Sequence, residues 1–203
     1  MSSVRLRSYP LPSADSGVAQ RPRSDRLFFA VLPDAPAARR IERLAHDLRG
    51  DLGLSGQPIA RERLHVTLFF VGDFAGFPAH VIDVLCKAAN AATSVPPFKL
   101  GFDRVASFST RDRRRRPMVL QGDDGVLALT DLHETLVVAM AAIGLAGPAP
   151  RRYTPHLTLL YDDRDVAGVM VDPIVWTVRE FVLVHSLIGQ SRHKVLARLP
   201  LQE

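Results

Sequence analysis

The chain has 203 residues, 47% apolar and 23% charged, a composition that fits a folded globular domain and excludes a disordered or fibrous chain. No run approaches the ~20 consecutive apolar residues of a bilayer span, and the basic first residues lack an apolar stretch, so neither a membrane span nor an export leader is expected and the cytoplasm is the expected compartment. Cys86 is the single cysteine, which excludes an intrachain disulfide and a cysteine-rich zinc site; the net charge of +5 allows an anionic partner without identifying one.

Residues 1–24 are rich in Ser, Pro and Arg without helical or strand periodicity and read as a flexible arm ahead of a single domain at 25–203. Leu27-Phe28-Phe29-Ala30-Val31-Leu32, stopped by Pro33, predicts a buried strand. Asp34 is placed to cap a helix with Pro36 in its first turn and Ile41, Leu44, Ala45 and Leu48 along one stripe. Arg63 to Asp73 reads as a strand, and a second helix follows from about Pro78 to Ala92. Phe98 to Ala106 and Pro117 to Gln121 predict strands joined by an Arg-rich loop. A third helix capped at Asp123 or Asp124 carries Leu129, Leu132, Leu136, Met140 and Ile143. Four strands complete the chain: Pro155 to Tyr161, Ile174 to Val178, Phe181 to Ile188 and Lys194 to Leu199. Several connections are too short for a helical crossover, so antiparallel pairing and an α+β architecture are expected.

His65-Val66-Thr67-Leu68 returns as His156-Leu157-Thr158-Leu159, each time after a helix-bearing stretch, which points to two related lobes. Strand alternation puts His65 and Thr67 on one face and Leu64, Val66, Leu68 and Phe70 on the other. In the second copy His156 and Thr158 oppose Leu157, Leu159 and Tyr161. If the lobes pack about an approximate twofold axis, two imidazoles face each other across a cleft. With an ordinary pKa of about 6.5, one can be neutral and the other protonated, serving as base and acid. Threonine hydroxyls beside them are suited to the non-bridging oxygens of a phosphate. That set describes in-line displacement at phosphorus without a metal. A lone histidine in an apolar strand is more often structural; it is the second copy in the same phase that favours chemistry.

These residues resemble the two-histidine phosphoesterases, and within them the RNA 2′,3′-cyclic phosphodiesterase branch, also called 2′–5′ RNA ligases. The resemblance spans about residues 26–201. It is carried by Arg26-Leu27-Phe28-Phe29-Ala30-Val31, Leu64 to Gly72, Pro155-His156-Leu157-Thr158-Leu159 and Arg192-His193-Lys194-Val195-Leu196. It implies two pseudo-symmetric lobes whose antiparallel sheets form a concave central cleft, with helices outside. It also implies metal-independent opening of a 2′,3′-cyclic phosphate to a 2′-phosphate. Carried onto this chain, His65 donates a proton to the leaving 3′ oxygen, His156 accepts one from water, and Thr67 and Thr158 hold phosphate oxygens. No cofactor or metal is implied. The expected partner is an RNA end or a nucleotide bearing the cyclic phosphate, with no membrane and no obligate protein partner, and the chain is expected to be a monomer. Many relatives have Arg where this chain has Tyr161, and Arg-Tyr-Glu where it has Arg192-His193-Lys194.

Other candidates carry weaker expectations. The Arg111 to Arg116 run, five arginines broken by Asp112, either follows an RNA backbone or is a solvated loop. Arg151, Arg152 and Arg192 are candidates for the cleft rim, though ordinary surface charge is favoured for each. His46, His80, His133, His185 and His193 read as surface or satisfied structural residues. Trp176, Phe28, Phe29, Phe69 and Phe70 read as core, with Phe69 on the His65 face and available to line the cleft. No HExxH, cysteine pair or phosphate-cradling glycine motif is present. A phosphodiesterase for small cyclic nucleotides or 2′–5′ oligonucleotides, and a non-catalytic RNA-binding module, are the alternative readings.

Overall fold

The computed structural model describes residues 22–110, 112–145 and 153–202. Strands β1 (Asp25–Val31), β2 (Val66–Phe74), β3 (Phe98–Ser107), β4 (Arg116–Gln121), β5 (Leu157–Asp162), β6 (Val169–Val178), β7 (Glu180–Leu187) and β8 (Arg192–Pro200) alternate with helices α1 (Ala35–Asp51), α2 (Ala79–Ala89) and α3 (Val126–Ala142). They form one eight-stranded sheet in the order β6-β3-β4-β5-β2-β1-β7-β8, every neighbouring pair antiparallel.

The sheet is two four-stranded halves joined at one point. Strands β2 and β5 share a single register pair, Val66 with Leu157, and run off in opposite directions from it. One half contains β1, α1 and β2 in succession and the other β4, α3 and β5, so each half repeats the strand–helix–strand order that the duplicated tetrapeptide suggested. The helices cross over: α1 packs on β5 and β6, and α3 on β2 and β3. This interlocking builds one continuous core on the helical face, with Phe29, Ile41, Leu85, Phe102, Leu132 and Phe181 fully buried. Phe28, Ala30, Val182 and Val184 form a smaller apolar cluster on the opposite face, which leaves that face free to hold a site.

Local chemistry accounts for the element ends. The Asp34 carboxylate accepts from the Ala37 N–H at 2.8 Å, and Pro36 lies in the first turn of α1, where a missing N–H costs nothing. The cap expected at Asp123 or Asp124 is instead Gly125, at φ +71; a Cβ there would overlap the Lys99 carbonyl. Helix α2 stops at Ala89 and tightens into a 3-10 turn over Asn90–Ser94. Strand β6 begins at Val169, five residues before the expected Ile174. Pro173 lies within β6, an edge strand, where a missing N–H is tolerated.

Of the arm expected at 1–24, residues 1–21 lie outside the described residues. Ser24 is tied in on both sides, its N–H donating to the Phe74 carbonyl and its own carbonyl accepting from Ile188, each at 2.9 Å. Among the described residues no helix is long and apolar enough to cross a bilayer.

Candidate active site

Both histidines precede their strands by one residue, a correction to their expected place inside them. Continuing the Val66–Leu157 register outward sets His65 beside Thr158 and Thr67 beside His156, all four on the face away from the helices. They line one cleft of about 270 Å³. Each imidazole is fixed in the same way. His65 Nδ1–H donates to the Arg63 carbonyl at 2.6 Å, and His156 Nδ1–H to the Thr154 carbonyl at 2.8 Å. In both halves, therefore, Nδ1 is occupied two residues upstream and Nε2 is left for the cleft. A phenyl ring backs each one, Phe28 on His65 and Phe108 on His156, both with centroids 4.8 Å away.

Strict alternation fails just after each threonine, for the same reason in both strands. Opposite β1, Ala30 pairs with Thr67 but Phe29 pairs with Phe69, so Leu68 is an extra residue in a β-bulge. Opposite β4, Val119 pairs with Thr158 but Met118 pairs with Leu160, so Leu159 bulges identically. The bulge inverts the phase. Phe69, expected as core but on the His65 face, packs against the main core, whereas Phe70 and Tyr161, expected on the apolar side, line the cleft. Neither bulge is visible as a composition signal, because Leu-Phe-Phe and Leu-Leu-Tyr satisfy either phase.

The bulges expose backbone carbonyls where β2 and β5 no longer face each other, and each is answered locally. The Thr67 carbonyl accepts from the Tyr153 hydroxyl at 3.0 Å, and the Leu68 carbonyl from His133 Nδ1–H at 2.7 Å. His133 and Tyr153 stack at 3.9 Å, nearly parallel, and burial pushes the tyrosine hydroxyl well above its usual pKa, keeping it a donor. His133 is thus the satisfied structural residue expected of it. In the other half a backbone group does the same work: the Ile59 N–H donates to the Leu159 carbonyl at 2.7 Å. The loop before Ile59 is clamped by Asp162, which accepts from the Gly56 N–H at 2.7 Å and the Ser55 hydroxyl at 3.2 Å. Burial alone would raise this carboxyl, but the Arg164 and Gly56 N–H donors prevail and bring it to about 2. Gly56 is required here, since a Cβ would overlap the Tyr161 carbonyl.

Charge around the two imidazoles is unequal. Burial holds His65 below its ordinary value of 6.5; the bond to the Arg63 carbonyl opposes this, while the Arg63 guanidinium and His156 add to it. His193, expected at the surface or in a structural role, instead lines the cleft, its ring 5.2 Å from His65 and 5.5 Å from Phe28. Burial, then His65 and Arg63, push it down to about 4, so it is neutral at pH 7. Arg63 also lines the cleft, and its Nε is buried with no hydrogen-bond partner among the described residues. Sequence reasoning missed Arg63 and His193. The only available signal for Arg63 was its place two residues before His65, on the same side of an alternating segment.

The remaining expected residues separate. Arg111, Arg151 and Arg152 lie outside the described residues. Arg115 places its guanidinium carbon 5.2 Å from the Tyr161 ring, and Arg116 turns away to the Asp163 carbonyl and Asp165, at 3.3 and 3.7 Å. Arg192 does not line the cleft but a neighbouring depression with Phe77 and His185. His185 is held by Asp25 at 2.6 Å, and Trp176 is core. No group of His, Cys, Asp and Glu suited to a metal ion occurs among the described residues.

A sheet of two matching halves, with a His-x-Thr copy from each at a shared cleft, places the chain among the two-histidine phosphoesterases. Residues 32–188 match the profile of the 2′-5′ RNA ligase superfamily, and the chain belongs to that family. It is 26% identical over 182 residues to the RNA 2′,3′-cyclic phosphodiesterase of Escherichia coli (strain K12), covering 88% of this chain and 97% of that protein. The crystal structure of E. coli LigT complexed with 3′-AMP superposes with a TM-score of 0.66 at 29% identity, over 89% of this chain and 99% of that one. A crystal structure described as a phosphoesterase shares the fold at a TM-score of 0.68 and 24% identity, over 89% and 99% of the two chains.

Proposed function

We propose that this protein opens 2′,3′-cyclic phosphate ends of RNA to 2′-phosphomonoesters without a metal ion, using His65 and His156 as the acid–base pair. The observation that carries this reading is the shared construction of the two imidazoles, each with Nδ1 tied to a carbonyl and Nε2 turned to the same cleft, beside a threonine from the opposite half. Membership of the family and the name of the E. coli relative support the choice of substrate.

In this reading His156 Nε2 takes a proton from water as the water oxygen bonds to phosphorus. The bond to the 3′ oxygen breaks, and His65 returns a proton to that oxygen. The direction of this assignment follows the family resemblance. Thr67 and Thr158 donate to the non-bridging oxygens, and the unpartnered Nε of Arg63 adds positive charge where the pentacoordinate state gathers negative charge. The environment that keeps His65 neutral in the free protein is offset by the entering phosphate, whose charge favours the imidazolium.

The test is incubation of the purified chain, in chelator, with an oligoribonucleotide ending in a 2′,3′-cyclic phosphate. The expected product is the 2′-phosphate. A 3′-phosphate overturns the assignment of the leaving oxygen, and absence of product overturns the function.

A further inference from the structure

Strands β7 and β8 have two faces, and only one of them belongs to the cleft. Ser186 and His193 line the cleft. His185, Leu187, Arg192, Lys194 and Leu196 instead line a separate depression of about 390 Å³ with Phe77, from the turn before α2; His193 borders both. Leu183, two residues before His185 on β7, belongs to the main core, so the depression lies on the helical face, at the end of that core.

A buried polar chain that the proposed mechanism does not use holds this depression in shape. Asp25, only 5% exposed, accepts from the Ser24 hydroxyl and from His185 Nε2–H, each at 2.6 Å. Ser24 in turn accepts from the Gly76 N–H at 3.2 Å, one residue before Phe77. The Ser24 hydroxyl and then the imidazole hold the Asp25 carboxyl below its usual range, against the opposing effect of burial. The carboxylate thereby fixes the His185 ring and occupies Nε2, so that Nδ1 is the polar atom left over. The Phe77 ring stands 4.9 Å from that imidazole and is half exposed, an apolar face kept in water by a pinned turn.

The chemistry is that of an anion site with a flat wall. Lys194 pairs with His185 and Arg192 with Leu187, so two cations project from one face of β8 with their Cα atoms roughly 7 Å apart. Among the described residues no Asp or Glu lines the depression. Two such cations suit a phosphate, and an open phenyl ring suits a stacked base. The residues preceding Ser24 are no complement to it, for they carry Arg5, Arg7 and Arg21 against Asp15. The volume is near the lower end of small-molecule sites, about 300–1,000 Å³, which favours one nucleotide over a strand.

We propose that this depression is a second ligand site, for a free nucleoside 5′-monophosphate, with the phosphate on Arg192 and Lys194, the base on Phe77 and a hydroxyl or amino donor on His185 Nδ1. It lies across the sheet from His65 and His156 and does not depend on what they catalyse.

The test is NMR titration of the methyl-labelled chain with AMP and with ribose 5-phosphate. Leu187 and Leu196 report this site; Val182 and Val184, packed with Phe28 on the other face, report the cleft. AMP is expected to shift the two leucines saturably and to bind there about 5- to 100-fold more tightly than ribose 5-phosphate. Phe77→Ala is expected to remove that advantage and Phe77→Tyr to keep it. Arg192→Gln combined with Lys194→Gln is expected to weaken both ligands about fivefold or more. Shifts confined to Val182 and Val184 place all binding in the cleft and overturn the inference. So does AMP that binds no better than ribose 5-phosphate, or binding indifferent to the two cations. A 5′-phosphorylated oligoribonucleotide that shifts the leucines where AMP does not makes the depression part of an RNA path and overturns the free-nucleotide assignment.

Discussion

The His65 half and the His156 half of the sheet are built alike and surrounded differently. Both fix Nδ1 on the carbonyl two residues back, both set a phenyl ring 4.8 Å from the imidazole, and both bulge one residue after the threonine. Around His65, however, stand Arg63, with a buried unpaired Nε, and His193, pushed down to about 4 by burial, His65 and Arg63. Around His156 the side chain in ring contact is Phe108. Duplication supplies geometry, two imidazoles aimed at one place; which of them holds the proton depends on what surrounds each. In the proposed mechanism the unequal surroundings are what separate the two roles.

The harshest way to break this comparison is to remove one imidazole at a time. His65→Ala and His156→Ala are each expected to lower kcat by about 10²- to 10⁴-fold, the usual worth of a general acid or base, with the chain still folded by circular dichroism. Retained turnover in either variant means that the half it belongs to is not part of the reaction. Next in size is Arg63→Gln. A hydrogen bond to a charged group is worth about 1.5–3 kcal/mol, so kcat/KM is expected to fall about 10- to 100-fold. The same variant sharpens the electrostatic contrast: removing the guanidinium relieves part of the lowering of His65, and the high-pH limb of kcat/KM moves up in pH. Arg63→Lys keeps the charge and is expected to leave that limb in place. If Gln and Lys give the same pH profile, Arg63 acts through shape rather than charge.

Much of the architecture was legible because its signals are periodic. The stripe of Ile41, Leu44, Ala45 and Leu48 specified α1, and the repeated His-x-Thr-x in one phase marked the two strands that meet at the centre. The bulges at Leu68 and Leu159 were not legible. A bulge changes phase by one residue, and a run that is apolar at every position reads equally well before and after the change. That ambiguity put Phe69 on the His65 face and Phe70 and Tyr161 on the opposite one. His193 was misread for another reason: it comes from β8 and reaches the site only because β8 pairs with β7 and β7 with β1, a chain of pairings that no local pattern encodes.

A smaller effect is expected from the groups that hold the bulges. His133 supports the Leu68 carbonyl through a side chain, whereas Leu159 is supported by the Ile59 backbone, which no side-chain substitution removes. His133→Leu leaves a buried carbonyl unpaired and is expected to cost about 1–3 kcal/mol in stability. It is expected to lower kcat more than it raises KM, because Thr67 and Phe70 take their direction from that bulge. His133→Asn, which can still donate, recovers part of both. A variant destabilised to the same degree with unaltered kcat would show that the His133 bond serves the fold alone.

The mildest expected effect concerns His193 and reads the asymmetry through stability. Its pKa is about 4 in the folded chain against an ordinary 6.5, so between these values the unfolded chain binds the extra proton and the folded chain does not. Stability is therefore complete above pH 6.5, falls as the pH is lowered from 6.5 toward 4, and loses nothing further from this group below 4. His193→Phe keeps an aromatic ring beside His65 and Phe28 but cannot bind a proton. Its Tm is expected to vary less between pH 6.5 and 4 than that of the wild type, with the two converging in slope above 7. Parallel curves through that range would mean that His193 is solvated enough to charge in place. The imidazole beside His65 would then be a cation at mildly acidic pH, and the two halves of the cleft would differ in charge by more than Arg63 alone.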